Sequence, residues 1–313
     1  MKDTVWKMIQ FVCAGLFIVA LLPIANRAIG STDDLFPDAG KYTSGNADIT
    51  ETVRNLDIDW TGGKVSIARQ KGKTVSISEK SNGPISPDME MRWFLDGETL
   101  RIRFAKPGLH LKGNLKKELT VTLPEGISLD SVEIGSASGM LDIPELQAEQ
   151  IMLHVTSGDI FAAVEARVIS CRTTSGNIMI EAGSSDTAKF ETTSGSVFIK
   201  MKDVGSLQAE STSGDIDAEI GRAGRAVIRS TSGDVRLITE GPDELKIKTT
   251  SGDVEAFLPQ DPGFTAQLHS TSGRIDVEVP AVKEGSAYVC GDGSGEVEIH
   301  TTSGRIEVAP YKG

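Results

Sequence analysis

From about residue 130 onward, apolar and polar positions alternate in short runs that recur nearly every nineteen residues. Each copy carries Thr-Ser-Gly or a close variant, with glycines at Gly139, Gly158, Gly176, Gly195, Gly214, Gly233, Gly252, Gly273, Gly295 and Gly304. Successive steps are 19, 18, 19, 19, 19, 19 and 21 residues, then 22 and 9. Aligned on the glycine, apolar columns fall two and four residues after it, as in Ile178/Ile180, Val197/Ile199, Ile216/Ala218 and Val235/Leu237. Two more fall five and seven residues before it, as in Phe190/Ala188, Ala209/Leu207 and Ile228/Ala226. A spacing of two is the strand period, and the first column is dominated by β-branched residues. Parity reverses across Ser-Gly, which marks a turn.

A unit of this length is too short for a strand–helix–strand crossover, which needs roughly 30 residues. It predicts short strands, each pairing in parallel with its copy in the next unit, so that Ile and Val stack as internal ladders. The expected fold is therefore all-β, a single-stranded parallel β-solenoid of ~19-residue rungs, right-handed by the crossover rule. The domain reading is residues 1–30 as a membrane anchor or signal peptide, 31–47 as a linker, 48–130 as degenerate β-rungs and an N-terminal cap, and 131–313 as the repeat solenoid. The short last step predicts a hairpin closing the C-terminal end.

The N-terminal segment sets the compartment. Met8 to Ala25 has one glutamine and no charge, and Lys2 and Lys7 precede it. Such a run is at the lower edge of a transmembrane helix and the upper edge of a signal peptide. Both readings place the solenoid outside the cytoplasm. Net charge is −12, with 44 acidic against 32 basic residues, and no Lys/Arg cluster offers the basic surface that nucleic acid requires. Cys13, Cys171 and Cys290 form no CxxC pair. Cys171 and Cys290 fall in the apolar column five before the glycine, which predicts small core residues.

Leu56-Asp57-Ile58-Asp59-Trp60, Thr61-Gly62-Gly63-Lys64-Val65-Ser66-Ile67, Leu123-Pro124-Glu125-Gly126 and the repeated Thr-Ser-Gly-Asp-Ile/Val, behind a hydrophobic N-terminus, form a recognisable combination. In this the chain resembles the bacterial putative-adhesin, or toast-rack, family of β-strand repeat proteins. The resemblance covers roughly residues 48–310 and implies a solenoid on the outer side of a bacterial membrane, some relatives being linked to envelope-stress sensing. It offers no catalytic residues to carry over. Gly293 in place of the turn threonine, and Arg274, Glu296 and Arg305 in place of the turn aspartate, depart from the pattern.

Candidate chemistry is sparse. The residue after the glycine runs Asp159, Asn177, Ser196, Asp215, Asp234, Asp253. A carboxylate column can hold Ca²⁺, but the Asn and Ser interruptions favour turn capping. His154, His269 and His300 fall four before a glycine, in an outward column with Arg172, Glu191, Glu210, Arg229 and Lys248, which reads as a solvated charge ladder. No catalytic residue, metal site or cofactor is expected. Parallel β-helices that act on polysaccharides carry long loops bearing clustered carboxylates, and the corners here are short. Three residues after the glycine, however, an outward column holds Phe161, Met179 and Phe198 on adjacent rungs. They predict either an exposed apolar stripe for a partner or a surface beneath the N-terminal cap. The functional expectation is a non-catalytic, membrane-anchored, extracytoplasmic scaffold that is adhesin-like or related to envelope stress. Its partners would be an envelope protein or surface ligand and, through the N-terminal segment, the membrane. The alternative is a polysaccharide-acting β-helix enzyme.

Overall fold

The computed structural model describes residues 38–107, 115–261 and 263–311. The apolar segment read as an anchor or signal lies outside them. Among the described residues no helix is long and apolar enough to cross a membrane. Between successive Ser-Gly turns the chain runs as one extended strand: Ile160–Ser175, Ile178–Ser194, Val197–Ser213, Ile216–Ser232 and Val235–Ser251. Each pairs in parallel with the next, with Ile178 opposite Val197, Val197 opposite Ile216 and Ile216 opposite Val235. The repeat columns therefore become ladders across neighbouring rungs. Leu207, Ala209, Ile228, Leu245 and Ile247 are all at most 1% exposed, as are Ile160, Ile178, Val197, Ile216 and Val235.

Each of the 17-residue strands, Ile178–Ser194 to Val235–Ser251, also bends twice. In Val197–Ser213 the inward positions are 197, 199 and 201, then 204, then 207, 209 and 211. Each three-residue step is a corner, so a rung has two broad faces joined by a narrow edge. The edge has its own inward ladder of Ser185, Val204, Ala223 and Pro242, which the period-two columns miss.

The turn glycine is demanded by close approach. At Gly195, with φ at +150°, an added Cβ would stand 1.9 Å from the carbonyl oxygen of Gly176. Hydroxyls three before the glycine point in to the previous turn. Thr173 donates to the Gly158 carbonyl at 3.0 Å, Thr192 to Gly176 at 3.1 Å and Ser211 to Gly195 at 3.1 Å.

At both ends the order of stacking departs from the order of the chain. Asn55–Gln70 pairs with Leu129–Ser157 on one side and with Thr99–Arg103 and Lys117–Pro124 on the other. Outside these lie Arg92–Asp96 and Val75–Ser81, both antiparallel to their neighbours. Thr43–Ser44 and Ala47–Ile49, at the end of the segment read as a linker, pair antiparallel beyond them. At the other end Val235–Ser251 meets Val254–Leu258 and Gly295–Ser303, and Phe264–Ser270 stacks on Gly295–Ser303 from the far side. Likewise Ile306–Pro310 lies between Val254–Leu258 and Ile275–Val277. The last Thr-Ser-Gly rung is thus inserted beneath an earlier one.

The expectation of a strictly sequential single-stranded solenoid is corrected at both ends. Gly295 is not a turn residue either: it pairs with Phe264 inside a strand, and Val297 and Ile299 continue the ladder of Leu245 and Ile247. The closing hairpin is Ala281–Glu284 with Ala287–Cys290, whose second strand pairs antiparallel with Phe264–Gln267. Antiparallel strands at both ends cover ladders that would otherwise stop at an open sheet edge.

Inside the N-terminal cap, the Lys117 side chain is fully buried. Its ammonium donates to Glu79 at 2.6 Å, to the Met89 carbonyl at 2.7 Å and to the Phe104 carbonyl, and it lies 5.0 Å from the Trp60 ring centre. Glu79 in turn accepts the Met91 N–H at 2.7 Å. Burial pushes the lysine pKa down against the pull of Glu79. The ion pair and its hydrogen bonds thereby tie four cap segments together, those of Glu79, Met89, Phe104 and Lys117, and leave no polar atom of the pair unpaired where that would be costly.

Candidate functional site

Parallel register sets Met179 directly between Phe161 and Phe198. Met179 is 47% and Phe198 39% exposed, while Phe161 is half-buried. Among the described residues the cap strands add to the end of the stack, and Met179 and Phe198 are exposed. The stripe ends where the column turns charged, at Asp217, which pairs with Arg236 at 3.2 Å.

Beside the stripe, two and four residues farther along the same strands, a groove of about 740 Å³ crosses the rungs. Its charged lining includes Glu165, Glu181, Lys200, Lys202, Glu219 and Glu240, six exposed side chains, together with Glu145, which pairs with Arg69 at 3.9 Å, and Asp203, which accepts from Ser184 at 3.2 Å. Gly183 and Gly221 stand in its lining, beneath Glu165 and Glu240 respectively. Among the described residues none of these six exposed side chains makes an ion pair, whereas charges on the opposite face are paired from rung to rung. There Arg172 binds Glu191 at 2.7 Å, Arg229 binds Glu210 at 2.8 Å and Arg225 binds Glu244. The sequence signal for the groove was the recurrence of Gly, Glu and Lys five and seven residues after the turn glycine; which of these charges lack partners is visible only in the structure.

The aspartate column caps turns across rungs. Asp159 accepts the N–H of Asn177 at 2.7 Å, Asp215 that of Asp234 at 2.9 Å, Asp234 that of Asp253 at 2.8 Å and Asp253 that of Arg305 at 2.7 Å. The two interrupting residues do the same work: Asn177 accepts from Ser196 at 2.9 Å and Ser196 from Asp215 at 3.3 Å. Arg305 falls in place because its rung follows that of Asp253 in space.

The histidine column divides. His269 and His300 stack at 4.9 Å on adjacent rungs. His154 instead fills the gap left by Gly135, where an added Cβ would lie 2.4 Å from its Cε1. Burial pushes the His154 pKa down, with Asp59 opposing and Arg172 adding to the shift. Burial likewise raises Asp59, against Arg103 and His154. Cys171 and Cys290 are buried free thiols, and burial pushes both pKa values up, as their core column implies.

Strands stacked in a ladder of Thr-Ser-Gly turns, with one apolar stripe and one charged groove on a single face, define an all-β repeat solenoid. The Toastrack DUF4097 family model matches residues 53–309, and the chain belongs to that family. No curated protein matches the chain. Among solved structures, a "putative cell adhesion protein" from Clostridium sporogenes is similar, with 12% identity over 86% of this chain and 100% of that one, at a TM-score of 0.21. A "putative adhesin" from Bacteroides fragilis has 11% identity over 86% of this chain and 97% of that one, at a TM-score of 0.41.

Proposed function

We propose that the protein is a non-catalytic interaction scaffold of the bacterial cell surface, held at the membrane by its N-terminal apolar segment, whose solenoid docks an envelope partner through Phe161, Met179 and Phe198. The supporting observation is the register of these three side chains on adjacent rungs, with Met179 and Phe198 open to solvent. A rigid ladder holds such a stripe without further ordering on binding, which lowers the entropic cost of association. Complete burial of a side chain of this size is worth roughly 1.5–3 kcal/mol, and because these are already half or more covered, docking would add about 0.5–1.5 kcal/mol each.

The test replaces all three with serine in the full chain. The thermal midpoint should stay within a few degrees of wild type, while capture of the partner from solubilised envelopes falls sharply. Strong destabilisation of the isolated protein would instead assign the stripe to intramolecular packing and remove the basis of this reading.

A further inference from the structure

The groove beside the stripe carries a charge order of its own. Following the rungs in space, Glu165 and Glu181 come first, Lys200 and Lys202 share the next rung, and Glu219 and Glu240 follow on the two after it. Five rungs at a spacing of roughly 4.8 Å span about 19 Å. None of these side chains has an ionic partner within the described protein, although neighbouring charged columns on the other face are almost fully paired. The register sets Lys200 between Glu181 and Glu219, so the groove's imbalance is its excess of carboxylates, and a ligand that covered them without supplying positive charge would leave them desolvated, which is strongly unfavourable.

Resting on the docking role of the stripe, we infer that the groove takes a Lys/Arg-bearing amphipathic segment of a partner protein. Its apolar side covers Phe161, Met179 and Phe198, and its basic residues reach the carboxylates at either end of the groove. A span of about 19 Å suits roughly 13 residues of helix. Lys200 at the centre already stands between Glu181 and Glu219 on the neighbouring rungs, and Asp203 adjoins Lys202, so the charge left for the segment to meet is negative. A second copy of this chain does not fit. A two-fold pairing of the groove with itself sets lysine against lysine and carboxylate against carboxylate, and like charges in contact repel.

The test selects a random 16-residue peptide display library on the full-length protein at low salt. It is repeated on E181K/E219K and on the second reversal pair E165K/E240K, each checked for an unchanged melting temperature. Enriched peptides should combine apolar residues with net positive charge, lose at least tenfold in affinity against either reversal pair, and weaken as salt rises. Enrichment of neutral or acidic peptides would overturn the inference, as would basic peptides that bind the reversal variants equally. Binding of a neutral oligosaccharide that the reversals abolish, with no basic peptide retained, would overturn it in favour of a glycan. Capture of the envelope partner separates this inference from the stripe reading. Loss with the triple serine variant but not with the reversals defeats the groove alone, and no loss with either defeats both.

Discussion

Replacing Gly195 with alanine puts a Cβ 1.9 Å from the carbonyl oxygen of Gly176 and 2.5 Å from its carbonyl carbon, at a residue whose φ is +150°. An ordinary contact would need more than 1 Å of extra separation. The atoms in the way are backbone, locked into parallel pairing on both sides, so they cannot swing aside as a side chain would. Overpacking of this kind costs about 1–3 kcal/mol, and holding a non-glycine residue at such a φ adds about 1–3 kcal/mol more. At about 2–4 °C per kcal/mol for a large domain, the melting temperature should fall by roughly 4–24 °C. Two controls separate the terms. Gly72 has φ at +128° with no atom near its would-be Cβ, and Gly83 has open space and no positive φ. The expected order of melting temperatures, read by circular dichroism on purified protein, is Gly83→Ala near wild type, Gly72→Ala slightly lower and Gly195→Ala lowest. A Gly195→Ala protein that melts with Gly83→Ala would refute the close approach of successive turns.

Four further outcomes follow from the same structure. In the cap, Glu79→Gln or Lys117→Met alone should cost about 3–5 kcal/mol in denaturant unfolding, and the double change much less than their sum, because each single change leaves one buried charge unpaired. A cysteine pair at Lys248→Cys and His300→Cys should oxidise to an intramolecular disulfide, since these residues face each other across adjacent strands. The pair Lys248→Cys with His269→Cys should not, although strictly sequential stacking would make those two the neighbours. His154 has a folded pKa below its unfolded value of about 6.5, so its contribution to stability is complete above that pH and declines as pH falls toward the folded value; stability of His154→Gln should change less over that window. Adding a calcium chelator should leave the melting temperature unchanged, because the turn carboxylates are engaged by backbone N–H groups of the next rung; a drop of many degrees would reopen the aspartate column as a metal site.

The regular middle of the solenoid was legible because a period of nineteen and a turn glycine fix alignment, and stacking then makes each column a ladder. Ile178, Val197, Ile216 and Val235 are where the repeat puts them. The corner ladder through Val204 and Ala223 escaped because each corner advances by three residues, which breaks the alternation that exposes a strand in sequence. The ends escaped for a different reason. Spacing along the chain reports which residues are equivalent, not the order in which equivalent rungs stack, so Gly304 and Gly273 exchanged places in space without leaving a local trace. Gly295 misled outright, since Gly-Ser-Gly mimics the turn tripeptide while its glycine sits in a strand. The apolar stripe was visible as a column, but the groove beside it depends on which charges find partners across rungs, and that is set by rotamers and register together.

The docking face can be tested directly by photo-crosslinking in intact cells, with a benzophenone amino acid placed around one rung of the solenoid. Phe198 and Lys200 lie on the face of the stripe and groove, while Gln208 and Glu210 lie past the corners on the other broad face of the same rung. The prediction is one discrete envelope-protein adduct from positions 198 and 200, absent from 208 and 210 and lost when Phe161 and Met179 are changed to serine. Equal adducts from both faces, or adducts only from 208 and 210, would contradict it.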